Sequence, residues 1–294
     1  MGGYLVTLAT LISIQAIAAC GLNVIVGYAG QISLGHAAFF GIGAYAAALL
    51  ATQAGFSFWT ALPLAVALTA GVGLLLGAPS LRVREDFLAI TTIGINFIVE
   101  AVLNNVEFFG GALGIGGIPR IRAFGEPLGG AGMLALCLGF LGLVVAACAG
   151  LVRCWAGLAC FALREEETAA AGIGISPVRF KLLAFVIGSA MAGLGGALYA
   201  HYMRFIGAGD FAFPLSVSML TMVVVGGIGT LWGPVLGAAL IGILPELFRP
   251  LIDYRMLFYT TLLLLMIRFQ PGGLLGTEGL VRRVLRKAIP GGRR

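Results

Sequence analysis

YLVTLATLISIQAIAACGLNVIVGYAGQISLGHAAFFGIGAYAAALLAT, residues 4–52, decides the fold class. The stretch has no Asp, Glu, Lys or Arg, and the uncharged run extends from Met1 through Leu81. A chain that folds in water carries about a quarter charged residues. Over all 294 residues only 10% are charged and 60% are apolar, which excludes a water-soluble globule. Hydrocarbon is the solvent this sequence suits. There, every backbone N–H and C=O must be satisfied inside the chain, so only helices or a closed barrel can span. Barrel strands alternate apolar and polar positions over roughly ten residues. These runs are longer and continuously apolar, and about 20 residues are enough for a crossing helix. The expected fold is all-α: a polytopic integral membrane helical bundle.

Outward from that stretch the chain divides into nine apolar segments: 4–27, 31–52, 57–79, 87–105, 130–152, 181–203, 214–229, 231–248 and 256–270. The seventh and ninth are short for full spans. Glycine clusters at Gly27 to Gly30 and at Gly226 to Gly229 predict broken or re-entrant helices. VIVGYAG at 24–30 and VVVGGIG at 223–229 are identical at four of seven positions. Transporters built from internal repeats place such interruptions near the substrate path; chance similarity in a Gly- and Val-rich chain is the alternative. Gly73 with Gly77, and Gly233 with Gly237, form small-xxx-small pairs that let helix backbones approach. Gly41-Ile42-Gly43-Ala44-Tyr45-Ala46 has the letters of a dinucleotide fingerprint. No acid follows until Glu85, far beyond the usual spacing of about 20 residues, so helix packing is the reading. The opening MGGYLVTLAT lacks the positive n-region of a cleaved signal, and the first segment is read as a retained span.

Charge sets the orientation. Lys and Arg number 18 and Asp and Glu 12, a net charge of +6. The tail RRVLRKAIPGGRR is strongly basic and is placed in the cytoplasm by the positive-inside rule. Four segments back, the loop 153–180 falls on the same side with Arg153, Arg164 and Arg179, and Lys181 at its edge. Two further segments back lie Arg82 and Arg84. Only Arg120, Arg122, Arg204, Arg249 and Arg255 then face outward, against thirteen inside. The side of the N-terminus depends on whether 31–52 crosses fully. A transmembrane domain is expected over 1–270 and a basic cytoplasmic tail over 271–294.

Bond-making chemistry finds little support. Cys20, Cys137, Cys148, Cys154 and Cys160 form no CxxC pair, so no metal or redox site is expected. Ser33 and His36 are three apart, but a nucleophile elbow needs Gly where Gln31 stands. No catalytic residue is assigned. A P-loop lysine must follow glycine, and neither Lys181 nor Lys287 does, so the chain is not expected to bind ATP itself. Polar residues inside spans are costly and usually face the bundle interior. Thr92, Asn96 and Glu100 are each four apart on one helix face. With Ser33 and His36 they are candidates for a hydrated translocation path; an interhelical clasp is the alternative.

Loop 153–180 is bounded by signals at both ends. Glu165, Glu166 and Glu167 open an alanine-rich segment, and carboxylates suit a first helical turn. Gly172 and Gly174 end it, and Ser176-Pro177 suits the cap and first turn of the next span. A short helix held outside the bilayer between two spans is predicted; docking into another protein and a plain solvated connector both fit it.

Glu167, Ala169, Ala170 and Gly174 resemble the EAA-type cytoplasmic loop of ABC importer permeases. LREEETAAAGIGISPVRFKLLAFVIGSAMAGLGGALYA (163–200), GLNVIVGYAGQISLGHAAFFGIGAYAAALL (21–50) and VVVGGIGTLWGPVLGAALIGILPELF (223–248) are similar to the membrane subunits of branched-chain amino acid importers. The resemblance implies that Glu165, Glu166, Glu167, Ala169, Ala170 and Gly174 couple to an ATPase. It implies two ABC ATPase subunits that bind the ATP, a second permease subunit in a heterodimer, and an extracytoplasmic substrate-binding protein. It places the chain in a bacterial inner membrane, in contact with lipid and with no nucleic acid partner or cofactor of its own. The implied substrates are branched-chain amino acids. Urea or another small amide carried by the same importer type is an alternative, and an ion-coupled secondary transporter is one from another class. Two positions depart from the family pattern: Leu113 stands before Gly114 where a polar residue is expected, and Ala171 replaces a frequent acid.

Overall fold

The computed structural model describes residues 2–80, 85–123, 126–247, 255–270 and 272–275. Arg82, Arg84, Arg249 and most of the basic tail, from residue 276 onward, lie outside the described residues. The described helices are α1 (Gly2–Asn23), α2 (His36–Thr52), α3 (Phe58–Ser80), α4 (Glu85–Asn105), α5 (Gly130–Arg153), α6 (Trp155–Glu165), α7 (Glu167–Gly172), α8 (Pro177–Met203), α9 (Phe213–Gly226), α10 (Gly233–Leu247) and α11 (Arg255–Phe269). Six helical stretches are long and apolar enough to cross a membrane, while α2 and most of α10 are shorter apolar helices. A polytopic helical bundle is what the sequence predicts.

Because the solvent is apolar, hydrophobicity does not separate inside from outside here. The buried side of α1 mixes Ala16, Ala18, Ala19 and Cys20 with Ile14, Ile17 and Leu22, whereas Leu64, Leu68, Leu74 and Leu75 of α3 face outward. Small residues let helices approach where no hydrophobic drive exists. The central α8 shows this best. A β-carbon on Gly188 would strike Gly21 of α1, one on Gly193 would strike Thr69 of α3, and one on Gly196 would strike the Phe40 carbonyl of α2. Gly73 and Gly77 pack α3 onto Ser189 and Phe185 of α8, and Gly237 packs α10 onto Met222 of α9. Gly41 and Gly43 pack against Phe211 and Gly193, so the fingerprint-like letters do serve helix packing.

Both predicted breaks are present. Helix α1 continues into a π-helical turn at Val24–Tyr28, where the Ala29 amide reaches Val24 O at 3.2 Å. Residues 29–35 are not helical, so the segment expected at 31–52 becomes helical only at His36. Gly30, at φ +71°, turns the chain there. The His36 ring lies 3.0 Å from Ala18 O, well inside α1, so α2 starts at mid-depth. Helix α9 starts in the same layer: Ser216 donates to Asn96 Oδ1 at 3.3 Å in the middle of α4. It ends at the second break, where Gly227 has φ +131° and Gly229 +76°. The N-termini of two half-depth helices thus converge in the bundle interior.

The two ends of the bundle differ. Val6 lies beside Gly130, which places the start of α1 at the end where α5 begins. That end carries a cap between α4 and α5 with two short ladders, Ile115 with Ile206 and Arg122 with Pro127, a small departure from an all-α expectation. The glycines of this segment favour turns over helix. Trp59 Nε1 ties the cap to α3 by donating to Arg122 O at 3.0 Å. Leu113, one of the departures noted above, is 85% exposed on it. The opposite end holds α6 and α7, Gly30 against the Arg164 stem, and residues 272–275, whose Leu274 amide donates to Val225 O at 2.9 Å. Among the described residues, Arg153, Arg164, Arg179 and Lys181 all lie at this end.

Candidate functional site

The α6–α7 arm projects from the cationic end. From the sequence 153–164 reads as part of a connector, whereas in the structure α6 begins at Trp155. Its buried residues Gly157, Ala159, Cys160 and Leu163 recur at helical spacing, a periodicity that was available to find it. The three glutamates do not open one helix. Glu165 ends α6, Glu166 is extended at φ −157° and ψ 105°, and only Glu167 opens α7. The break lets α7 fold back, burying Ala170 in a small cluster with Ala159, Leu163 and Ile175. Gly174 at φ +92° makes the exit turn. Pro177 occupies the first turn of α8, the place that Ser176-Pro177 suits in the sequence.

Each coupling candidate then has a defined place. The Glu167 carboxylate pairs with Lys181 Nζ at 2.5 Å, fastening α7 to the span α8. Glu166 Oε1 accepts from Thr168 Oγ1 at 2.5 Å. Glu165, Ala169 and Gly174 are exposed, and so are Ala171 and Gly172. Ile173, which sequence reading did not single out, is 79% exposed at the tip of the arm. The arm thus ends in a tip of small side chains and one protruding isoleucine, braced from behind by an ion pair. Cys154 at the α5–α6 joint is exposed, whereas burial, with a smaller contribution from Cys154, pushes the Cys160 thiol up to about 11.

The mid-bundle polar candidates are partly brought together. Thr92 Oγ1 accepts from the Leu34 amide at 3.0 Å, and a β-carbon on Gly35 would strike the Thr92 carbonyl. Asn96 Nδ2 donates to Phe211 O at 3.4 Å, and its Oδ1 accepts from Ser216, whose Oγ in turn accepts from the Ala37 amide at 2.9 Å. Thr92 and Asn96 therefore clasp the two half-helix starts, and Ser216 is a member of the group that sequence reading missed. Glu100, one turn nearer the cap, is half-buried and outside this network. Ser33 and His36 are buried beside it. Ser33 Oγ, His36 Nδ1 and both side-chain polar atoms of Gln31 are buried with no hydrogen-bond partner among the described residues. Buried polar atoms are normally satisfied, so these atoms of 31–36 are open to a further hydrogen-bonding partner.

Comparison with known proteins gives one consistent answer. Residues 4–267 match the family model described as branched-chain amino acid transport system / permease component. The chain is 40% identical to the high-affinity branched-chain amino acid transport system permease protein LivM of Salmonella typhimurium, over 92% of this chain and 69% of that protein. The LivM protein of Escherichia coli is 39% identical over the same shares. The permease protein LivH of Escherichia coli is 33% identical over 41% of this chain and 39% of its own length. No solved structure matches the chain.

Proposed function

The chain belongs to the family of branched-chain amino acid transport system permease components, and from that premise we propose that it forms half of the membrane pore of an ABC importer. Leucine, isoleucine and valine are the proposed substrates, by similarity to LivM. A LivH-like permease is the proposed second half, since LivH is a further permease to which this chain is similar. A binding protein delivers substrate at the cap, and two ATPase subunits grip the α6–α7 arm. The positive-inside rule puts that arm in the cytoplasm of a bacterial cell and the cap outside.

The observation that carries this reading is the arm itself: an exposed tip at Ala169, Ala171, Gly172 and Ile173, fastened to the span α8 through Glu167 and Lys181. A displaced tip moves a helix that packs on α1, α2 and α3. The residues that matter transmit motion and break no bond. Substrate is proposed to pass the mid-bundle layer where the starts of α2 and α9 converge. Helix N-termini favour the carboxylate of a zwitterion, and Gln31, Ser33 and His36 offer buried polar atoms there. The ion-coupled alternative is not favoured by the family.

Proteoliposomes holding the chain with its partner permease, both ATPases and the binding protein test the reading. Radiolabelled leucine uptake that requires internal or external ATP at the arm side supports it. Uptake by the chain alone on an ion gradient, without ATP, contradicts it.

A further inference from the structure

We propose that Arg164 is the positioning residue that ties the ATPase-driven arm to both broken helices, so that movement of α6 and α7 reaches the breaks at Gly27 and Gly229 together. The proposal rests on the import reading above and adds a route for its mechanical step.

Arg164 lies in the last turn of α6. Its Nη1 donates to the carbonyl of Gly27, inside the π-helical turn that ends α1. The last carbonyls of a helix lack intrahelical partners and attract cations, so this is a favourable place for a guanidinium. The same head group lies against the second break, because a β-carbon on Gly229 would run into it. The stem crosses the first break: a β-carbon on Gly30 would stand 3.1 Å from Arg164 Cγ. One side chain therefore lies against three glycines, Gly27, Gly30 and Gly229, at two breaks far apart in sequence.

The two breaks are also stitched to each other. Asn23 Oδ1 accepts from the Gly229 amide at 2.8 Å, and Asn23 Nδ2 donates to Thr230 O at 3.0 Å. A β-carbon on Gly27 would collide with Asn23 Oδ1 and with Gly229, so the approach depends on glycine at 27. These are the two stretches whose sequences nearly repeat, VIVGYAG and VVVGGIG. A second contact, the Tyr28 and Phe161 rings at 5.1 Å, holds α6 to the first break from the apolar side. The arm thus has two attachments: Glu167 with Lys181 leads to α8, and Arg164 leads to α1 and α9. The breaks in turn lead to the mid-bundle layer, because α2 follows one of them and α9 ends at the other.

An arginine with a purely structural role would lower the yield of folded complex in step with transport. A transmitting arginine separates hydrolysis from transport. The test uses the complete complex in proteoliposomes, as wild type, Arg164→Gln and Asn23→Ala, with radiolabelled leucine and loaded binding protein. ATPase retention, ATP hydrolysis and uptake are measured on the same preparation. The expected result for Arg164→Gln is normal ATPase retention and continued hydrolysis, with leucine moved per ATP reduced about tenfold, within the range of ordinary site-to-site coupling. Asn23→Ala, which cuts the stitch without touching α6, is expected to lower the same ratio. An unchanged ratio in either assembled variant overturns the proposal, as does an Arg164→Gln complex that loses its ATPases in proportion to its uptake. If Arg164→Gln does not assemble, the ratio in Asn23→Ala decides. A wild-type complex whose hydrolysis ignores the loaded binding protein fails the import reading itself, a result distinguishable from failure of the Arg164 route alone.

Discussion

Gly43 and Gly139 show how little a residue's name says about its work in this bundle. A β-carbon on Gly43 of α2 would strike the backbone of Gly193 in α8, while one on Gly139 of α5 meets nothing within 4 Å. Overpacking a close contact costs roughly 1–3 kcal/mol or more, because the backbones must separate. Gly43→Leu is therefore expected to lower the thermal midpoint of the detergent-purified protein clearly, and Gly139→Leu to leave it nearly unchanged. Scanning both variants beside wild type checks the pair. The spacing of Gly73 and Gly77 made their packing role legible in advance. The demand on Gly196 was not, since it depends on which backbone the fold brings opposite. Asn23 illustrates the other limit: an asparagine in an uncharged run is a visible signal, yet its partner lies 206 residues away.

Among the elements, the arm departs most from the sequence reading. The helix bounded by glycine and proline was legible because those residues act locally on φ. The division between α6 and α7 was not, because Glu166 leaves the helix for tertiary reasons: only a bend there buries Ala170 against Leu163 and Ile175. The non-helical lead-in at 29–35 was legible only as a glycine interruption, since its conformation is held by Thr92 from a different helix. The arm's accessibility has a direct chemical test in its two cysteines. Thiolate is the reactive form; Cys154 is exposed, and Cys160 is buried with its thiol pushed up to about 11. A membrane-impermeant maleimide at neutral pH is expected to label Cys154 and spare Cys160, and to do so only from the cytoplasmic side. Peptide mapping of right-side-out and inverted vesicles reads both points. Labelling of Cys154 from outside contradicts the orientation.

At the scale of the whole molecule, charge and fold agree. Parity counted from the basic tail puts 153–180 and the chain's end on one side, and the structure gathers α6, α7 and residues 272–275 at one end of the bundle. It also answers what parity left open. The start of α1 lies at the opposite end, beside Gly130, because 31–52 completes its crossing as an extended lead-in followed by a half-depth helix. Import driven from the cytoplasm requires that the tip of the arm be held by an ATPase. Ile173→Cys, placed at the tip and photo-cross-linked through a short thiol-attached reagent in the assembled complex, tests it most directly. An adduct with the ATPase subunit is expected, lost when the ATPase is stripped from the membrane. Adducts with the external binding protein, or none with the ATPase in a complex that retains it, would show that the arm is not gripped there.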